Sequence, residues 1–190
     1  MSDRIIPEVS HPTEACPNPE QWHCYDGEAT EVEVLEHLTS LVTLLKPPVL
    51  IETGCYRGYG TRALARGILA NEKGLLWTCD IGFDMVQATR DMVPWARVNV
   101  EHCTGLQLIA RLPAPIDFAF LDSGPDEVRC AELRAVLPKM SRSGVIVVHD
   151  TGLQHGLRPH FLKTVEELGL QYFMFDTPRG LSLVRKPWQK

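Results

Sequence analysis

No stretch of this chain stays apolar for the roughly 20 residues that a bilayer-spanning helix needs. The opening Met-Ser-Asp-Arg-Ile-Ile-Pro carries no apolar signal-sequence core. An excess of basic charge is missing as well: 19 Lys and Arg stand against 24 Asp and Glu, for a net charge of −5. That balance weighs against nucleic acid and anionic membranes as partners, because both recruit basic surfaces. The six cysteines (Cys16, Cys24, Cys55, Cys79, Cys103 and Cys130) include no C-x-x-C pair, which removes zinc-ribbon and dithiol redox signatures. They read as free thiols in a reduced, cytoplasmic setting, and nothing supports a Cys16–Cys24 disulfide. Internal repeats, low-complexity tracts and the G-x-G-x-x-G fingerprint of dinucleotide-binding turns are also absent.

What is present fits one globular domain: 190 residues, 44% hydrophobic and 23% charged. Residues 1–30 hold Pro7, Pro12, Pro17 and Pro19 without periodicity and read as an irregular arm. Trp22, His23 and Tyr25 are its anchors, expected to pack on the surface of a single domain spanning 31–190. The organising stretch is Val49 to Gly60. There a short apolar run ends in Glu52, three glycines follow at Gly54, Gly58 and Gly60, and a helical pattern covers Thr61 to Ala70. Strand, tight turn and helix in that order bring a ligand against bare backbone near a helix N-terminus. An acid at the strand end repels phosphate and welcomes an amine or a hydroxyl, which suits a nucleoside-like cofactor without pyrophosphate.

The remaining pattern alternates. Thr30 to Glu33 spells a capping box, and Leu35, Leu38, Val42 and Leu45 continue a helix that Pro47-Pro48 stops. Strands are expected at 75–81, 98–103, 116–121 and 144–149, with helices at 84–93, 106–112 and 127–137 between them. A further helix starts at Pro159 and ends at Gly169, and 170–175 and 181–184 form an antiparallel pair around Pro178-Arg179-Gly180. Alternation of this kind gives an α/β fold, a mostly parallel sheet covered on both faces.

Four apolar runs each end in an acid: Glu52, Asp80, Asp122 and Asp150. In a parallel sheet these ends share one edge, where ligands bind, so the four are expected to converge. Asp80, ending the second strand, suits ribose hydroxyls. Asp122 and Asp150, on neighbouring strands, suit a hard cation such as Mg²⁺, with Thr151 or Ser123 adding a neutral oxygen. His149 is the other candidate for proton removal. A three-histidine site with His155 and His160 matches no metal-binding spacing and is not expected.

With these residues in place, the span from about Glu31 to Lys186 resembles the class I S-adenosylmethionine (SAM) methyltransferases. It is most similar to the compact O-methyltransferase branch of catechol- and macrocin-type enzymes. The segments that carry the likeness are Val49 to Gly60, Trp77 to Asp80, Ile116 to Ser123, Ser143 to Thr151 and Thr177 to Val184. The resemblance implies a Rossmann-like, seven-stranded sheet of order 3-2-1-4-5-7-6 with the last strand antiparallel. It implies that Glu52, Gly54 and Gly58 meet the amino-acid part of SAM, with Tyr56 and Asp122 also on the cofactor. Asp80 would hold the ribose, and the Cys103-Thr104-Gly105 turn would border the adenine. In metal-dependent members the acids matching Asp122 and Asp150 bind Mg²⁺ or a similar ion. The chain departs from that pattern in three places: Thr151 stands where Asn is usual, no acid or Gln follows Cys103, and Ser-Gly-Pro-Asp follows Asp122.

The expected activity is SAM-dependent methylation of a hydroxyl on a small molecule, with His149, Asp150 and Asp122 as the catalytic candidates. The alternatives are a metal-dependent hydroxylase on the same fold and a non-catalytic SAM-binding module. Neither the acceptor nor the oligomeric state, with a homodimer left open, is written in the residues.

Overall fold

In the computed structural model, residues 21–153 and 155–187 are described. Helices and strands alternate along them: α1 (Val32–Leu45), β1 (Val49–Thr53), α2 (Tyr59–Asn71), β2 (Leu75–Asp80), α3 (Phe83–Met92), β3 (Val98–His102), α4 (Gly105–Arg111), β4 (Ile116–Leu121), α5 (Asp126–Val136), β5 (Met140–His149), α6 (Leu157–Glu167), β6 (Gln171–Phe175) and β7 (Leu181–Arg185). The seven strands form one sheet in the order β3-β2-β1-β4-β5-β7-β6. β1 to β5 run parallel, and β7 lies antiparallel between β5 and β6. This is the α/β fold expected from the alternation, with the Rossmann-like strand order that the resemblance implies. The strand order reverses between β1 and β4, and a crevice opens at such a switch point.

Strand periodicity divides the core in two. Leu50, Phe118, Phe120 and Val147 point to one face, against Leu38 and Val42 of α1 and Leu64 and Ile68 of α2. Ile51, Ala119, Leu121, Ile146 and Val148 point to the other, against Leu108 of α4, Leu133 of α5 and Phe161 of α6. The central strands are thus apolar on both faces, which is why β4 reads as a near-continuous apolar run, broken only at Asp117, rather than an alternating one.

Three local readings are corrected. Thr30 does not cap α1: Glu31 precedes the helix without a side-chain cap, and the Thr30 hydroxyl instead donates to Asp122 at 2.9 Å. Glu33, the expected partner in the capping box, turns to the His23 ring and backbone. Strand β5 begins at Met140, not Gly144, because Met140 pairs with Ile116 across a register shift. Helix α6 begins at the fully buried Leu157, so Pro159 lies within the first turn, where its missing N–H still leaves no bond unmade. Among the described residues, no helix is long and apolar enough to cross a membrane, and Cys24, Cys55, Cys79, Cys103 and Cys130 are free thiols. Cys16 and the prolines of residues 1–20 lie outside the described residues.

Candidate active site

The carboxyl ends of β1, β2, β4 and β5 surround a cavity of about 530 Å³, and Glu52, Asp80, Asp122 and Asp150 all line it. The four acids thus converge as the parallel topology requires, although each is handled differently.

Glu52 is fully buried at the end of β1. The hydroxyls of Thr61 and Thr78 both donate to its Oε2 at 2.5 Å, while Oε1 has no hydrogen-bond partner. Room for Oε1 exists because residue 60 is glycine; a Cβ there would collide with it. Burial pushes the Glu52 carboxyl up, the two hydroxyls pull it back, and the charges of Asp122 and Asp80 add to the rise, leaving its pKa at about 7. A buried acid half-ionised at neutral pH, with one oxygen bare at a cavity wall, calls for a cationic or hydrogen-bond-donating ligand group.

Asp80 is held in place by backbone. Its Oδ2 accepts from the Tyr56 amide at 3.0 Å and its Oδ1 from the Gly82 amide at 2.8 Å. The Gly-rich turn spends its other donors internally: the Gly54 and Cys55 amides reach the Cys79 carbonyl, and the Gly58 amide reaches Cys55. Those donors therefore form no phosphate cradle, in keeping with the acids beside them. Gly54 has φ +79, and a Cβ on it would lie 2.5 Å from the Asp122 carbonyl oxygen. Gly54, Tyr56 and Thr104 line the cavity; Gly58 does not. Gly58 is required instead by its φ of +87 before α2 and by its close approach to Thr89. Thr104 caps α4 in a reciprocal pair with Gln107, so the Cys103-Thr104-Gly105 turn is rigid.

His149 lies beneath the wall rather than on it. Its side chain is 0% exposed, its Nδ1 faces Asp122 at 3.0 Å, and its Nε2 faces Glu31 at 2.9 Å. Burial alone lowers a histidine, but the charges of Asp122 and Asp150 and the bonds to Asp122 and Glu31 outweigh it and raise His149 to about 10. Burial opposes ionisation of Glu31, yet the bond to His149 and its charge keep that carboxyl low. Both ring nitrogens are thus paired with carboxylates, and the ring has no exposed surface toward the cavity.

Asp150 adopts φ +62, an uncommon conformation for a residue other than glycine, and this turns its carboxylate into the site. Its Oδ1 accepts from Arg179 Nε at 2.6 Å; its Oδ2 accepts from Arg129 Nη1 at 2.6 Å and from Arg179 Nη2 at 3.0 Å. Burial raises Asp150, but His149, Arg129 and Arg179 together hold it well below the usual carboxylate range. Arg179 is itself raised, since burial costs it less than the carboxylates of Asp150 and Asp122 return.

By distance alone, Asp122, His149 and Asp150 offer ligand atoms within 4.8 Å of one another. Their bonding does not suit a cation. Both Asp150 oxygens are taken by guanidiniums, Asp122 is taken by Thr30 and His149, and both His149 nitrogens face carboxylates. Three acids (Glu31, Asp122 and Asp150) already face three cations, so a divalent ion would add uncompensated charge next to two arginines. Thr151, the expected neutral ligand, is fully buried, shares a 2.7 Å bond with Ser182 and is not on the cavity wall. Asp122 and Asp150 thus stand close enough to share an ion with His149, but both are already paired with protein donors, and Thr151 is bonded to Ser182.

Sequence reasoning missed five residues of this cluster. Thr30 and Glu31 read as helix-start residues, Arg179 as a turn residue, and Arg129 and Glu132 only as members of the helix expected at 127–137. Glu132 is fully buried, and the hydroxyls of Thr53 and Ser123 both donate to it. Burial is the feature that marks these residues, and it follows from tertiary packing alone. Of the arm's anchors, Tyr25 stacks on Tyr59 with ring centroids 4.5 Å apart, as expected, but the arm also reaches the cavity through Glu28, Ala29 and Thr30.

Comparison with known proteins follows from this geometry. No curated protein sequence matches the chain. Solved structures match its fold. An S-adenosylhomocysteine-bound methyltransferase from Podospora anserina superposes with a TM-score of 0.70 at 16% identity, over 95% of this chain and 91% of that one. An O-methyltransferase from Bacillus cereus, also with S-adenosylhomocysteine, gives 0.72 at 17% identity over 85% and 84%. A methyltransferase from Geobacter sulfurreducens gives 0.69 at 16% over 84% and 81%. At those identities the likeness establishes the fold. The family rests on the sequence itself: residues 51–151, from β1 through the turn after β5, match the profile of a methyltransferase domain. That span carries all four strand-end acids, and on it the chain belongs to the methyltransferase domain family.

Proposed function

We propose that this chain is a SAM-dependent methyltransferase acting on a hydroxyl of a small molecule. The observation that carries the reading is the bare Oε1 of Glu52, a buried acceptor at a cavity wall opposite no protein donor. The α-ammonium of SAM is a group of the required charge. Asp80, fixed by two backbone amides, suits the ribose hydroxyls, and the Cys103 to Gly105 turn with Ile81 suits the adenine end. When bound, SAM supplies a methyl carbon on a sulfonium; its bond to sulfur breaks with the pair going to sulfur, as a lone pair on the acceptor oxygen forms the new bond.

The chain's own task is to orient the acceptor and take its proton. Asp122 is the group we assign to proton removal, since it lies on the cavity wall with its side chain 16% exposed. His149 acts through it: the ring at Asp122 Oδ1 and the Thr30 hydroxyl at Oδ2 fix the carboxylate's orientation. The Glu28–Thr30 segment covers the same end of the cavity and helps exclude water. A volume of about 530 Å³ shared by donor and acceptor favours a small acceptor. The acidic wall and the net charge of −5 favour one that is not nucleic acid. The bonding that disfavours a cation at Asp122 and Asp150 also disfavours a metal-dependent hydroxylase.

Calorimetric titration with SAM and S-adenosylhomocysteine tests the proposal. Micromolar binding that weakens at least tenfold in Asp80→Ala is expected. If neither nucleoside binds the wild type, the methyltransferase reading is abandoned.

A further inference from the structure

We propose that the guanidinium of Arg179 supplies the positive charge at the acceptor end of this cavity, so that the acceptor oxygen is met by arginine and transfer needs no divalent cation. The inference rests on the methyltransferase reading and adds the means by which the acceptor is held.

Arg179 comes from the turn between β6 and β7 and lines the cavity beside Asp122 and Asp150. Its position is determined from three sides. Nε and Nη2 form a fork on the Asp150 carboxylate, Nη1 donates to the Glu28 carbonyl at 3.0 Å, and its own backbone amide donates to Glu31 at 2.9 Å. A fork on a carboxylate is the geometry a guanidinium adopts and an ammonium does not. Arg129 completes the pairing of Asp150, but it is spent on structure: Nε reaches the Ser123 carbonyl and Nη1 the His149 carbonyl, and its side chain is 7% exposed. Arg179 is 21% exposed and is the more open of the two.

Of its five N–H groups, three are used by the partners above, leaving two without a partner among the described residues. An acceptor hydroxyl placed between Arg179 and Asp122 would receive a hydrogen bond from the first and donate its proton to the second. The oxygen then keeps a lone pair for the incoming methyl carbon. Two observations hold the arrangement against a metal alternative. Both oxygens of Asp150 are already bonded to guanidiniums, and the neighbouring hydroxyl, Thr151, is turned away to Ser182.

The test uses Mn²⁺ as the probe, followed by electron paramagnetic resonance, with S-adenosylhomocysteine binding measured on the same samples. Wild-type protein is expected to bind no Mn²⁺ at micromolar concentrations and to bind the nucleoside equally well with EDTA or with Mg²⁺. Arg179→Met, which leaves Asp150 short of a cation, is expected to gain Mn²⁺ affinity at least tenfold over wild type. Arg179→Lys, which keeps the charge, is expected not to, and it serves alone if the methionine variant fails to fold. Stoichiometric, micromolar Mn²⁺ binding by the wild type that disappears in Asp150→Asn would overturn the proposal, as would gain of Mn²⁺ in Arg179→Lys. Failure of S-adenosylhomocysteine to bind is a separate result: it removes the methyltransferase reading and says nothing for a metal.

Discussion

Ligand binding at Glu52 should carry a proton signature that the structure makes calculable. The carboxyl sits near pKa 7 because its burial is opposed only by two hydroxyls, and its free Oε1 borders the cavity. If the α-ammonium of the nucleoside docks there, it selects the ionised form. At pH 6 about a tenth of Glu52 is ionised, and at pH 7.5 about three quarters, so affinity should rise about eightfold over that interval. Isothermal titration of S-adenosylhomocysteine at several pH values, in two buffers of different ionisation enthalpy, reads both the slope and the proton released. Adenosine, which lacks the amino-acid arm, is the control and should bind with no slope. Glu52→Gln should flatten the slope for S-adenosylhomocysteine. The same shift has a folding counterpart of the opposite sense. A carboxyl raised in the folded state stabilises below its unfolded pKa of about 4.5, and that contribution is lost as pH climbs through about 7. Glu52→Gln should therefore equal wild type in stability near pH 4 and exceed it by up to about 3 kcal/mol at pH 8. A pH-independent wild type, or a slope surviving in Glu52→Gln, would refute the argument.

Two further outcomes follow from the buried cluster and the Gly-rich turn. His149 should remain an imidazolium at pH 8 in a nitrogen-detected spectrum of labelled histidine, and Glu31→Gln should lower its pKa; the stability it lends is complete below about pH 6.5 and lost as pH rises through about 10. A neutral ring at pH 8 would remove the acid-enclosed imidazolium from the account. Gly54→Ala should cost several kcal/mol in denaturant unfolding or abolish nucleoside binding, since its φ of +79 is unsuited to alanine and its Cβ would meet the Asp122 backbone. An alanine variant equal to wild type in both would show that β1 and β4 can part at that point without loss.

The fold was legible because its determinants are local and repeated. Each strand announces itself by an apolar run, and each run from β1 to β5 except β3 stops at or beside an acid. Once the strands are parallel, those acids need no further information to share an edge: Glu52, Asp80, Asp122 and Asp150 meet at one cavity. What was not legible depends on partners distant in sequence. Glu31 lies 118 positions from the imidazole it pairs with, Arg179 lies 148 from the Glu31 carboxylate that its amide reaches, and Thr30 lies 92 from Asp122. In each case the local pattern was plausible and tertiary context overrode it. Thr30 and Glu33 satisfy a capping box on paper, but a hydroxyl that can reach a buried carboxylate, and an acid that can reach His23, find stronger partners there.

The same override decides the chemistry at Asp122 and Asp150. Two acids at neighbouring strand ends are, from sequence, the signature of a hard cation, because clustered carboxylates need positive charge. Within the protein that requirement is met by three side chains. Positive charge arrives on Arg129 from α5, on Arg179 from the last hairpin and on His149 from β5 itself, each held within 3.5 Å of a carboxylate oxygen. None of the three is recognisable as a cation of the site by spacing, since they come from separate elements. Yet once they are present the need for a metal at that place is met. Thr151, next to Asp150, bonds Ser182 of β7. The segment after Asp122 likewise carries Ser123, whose carbonyl receives Arg129 and whose hydroxyl reaches Glu132. Of the positions that depart from the metal-dependent pattern, Ser123 is thus employed in fixing Arg129, and Thr151 in bonding the end of β5 to β7.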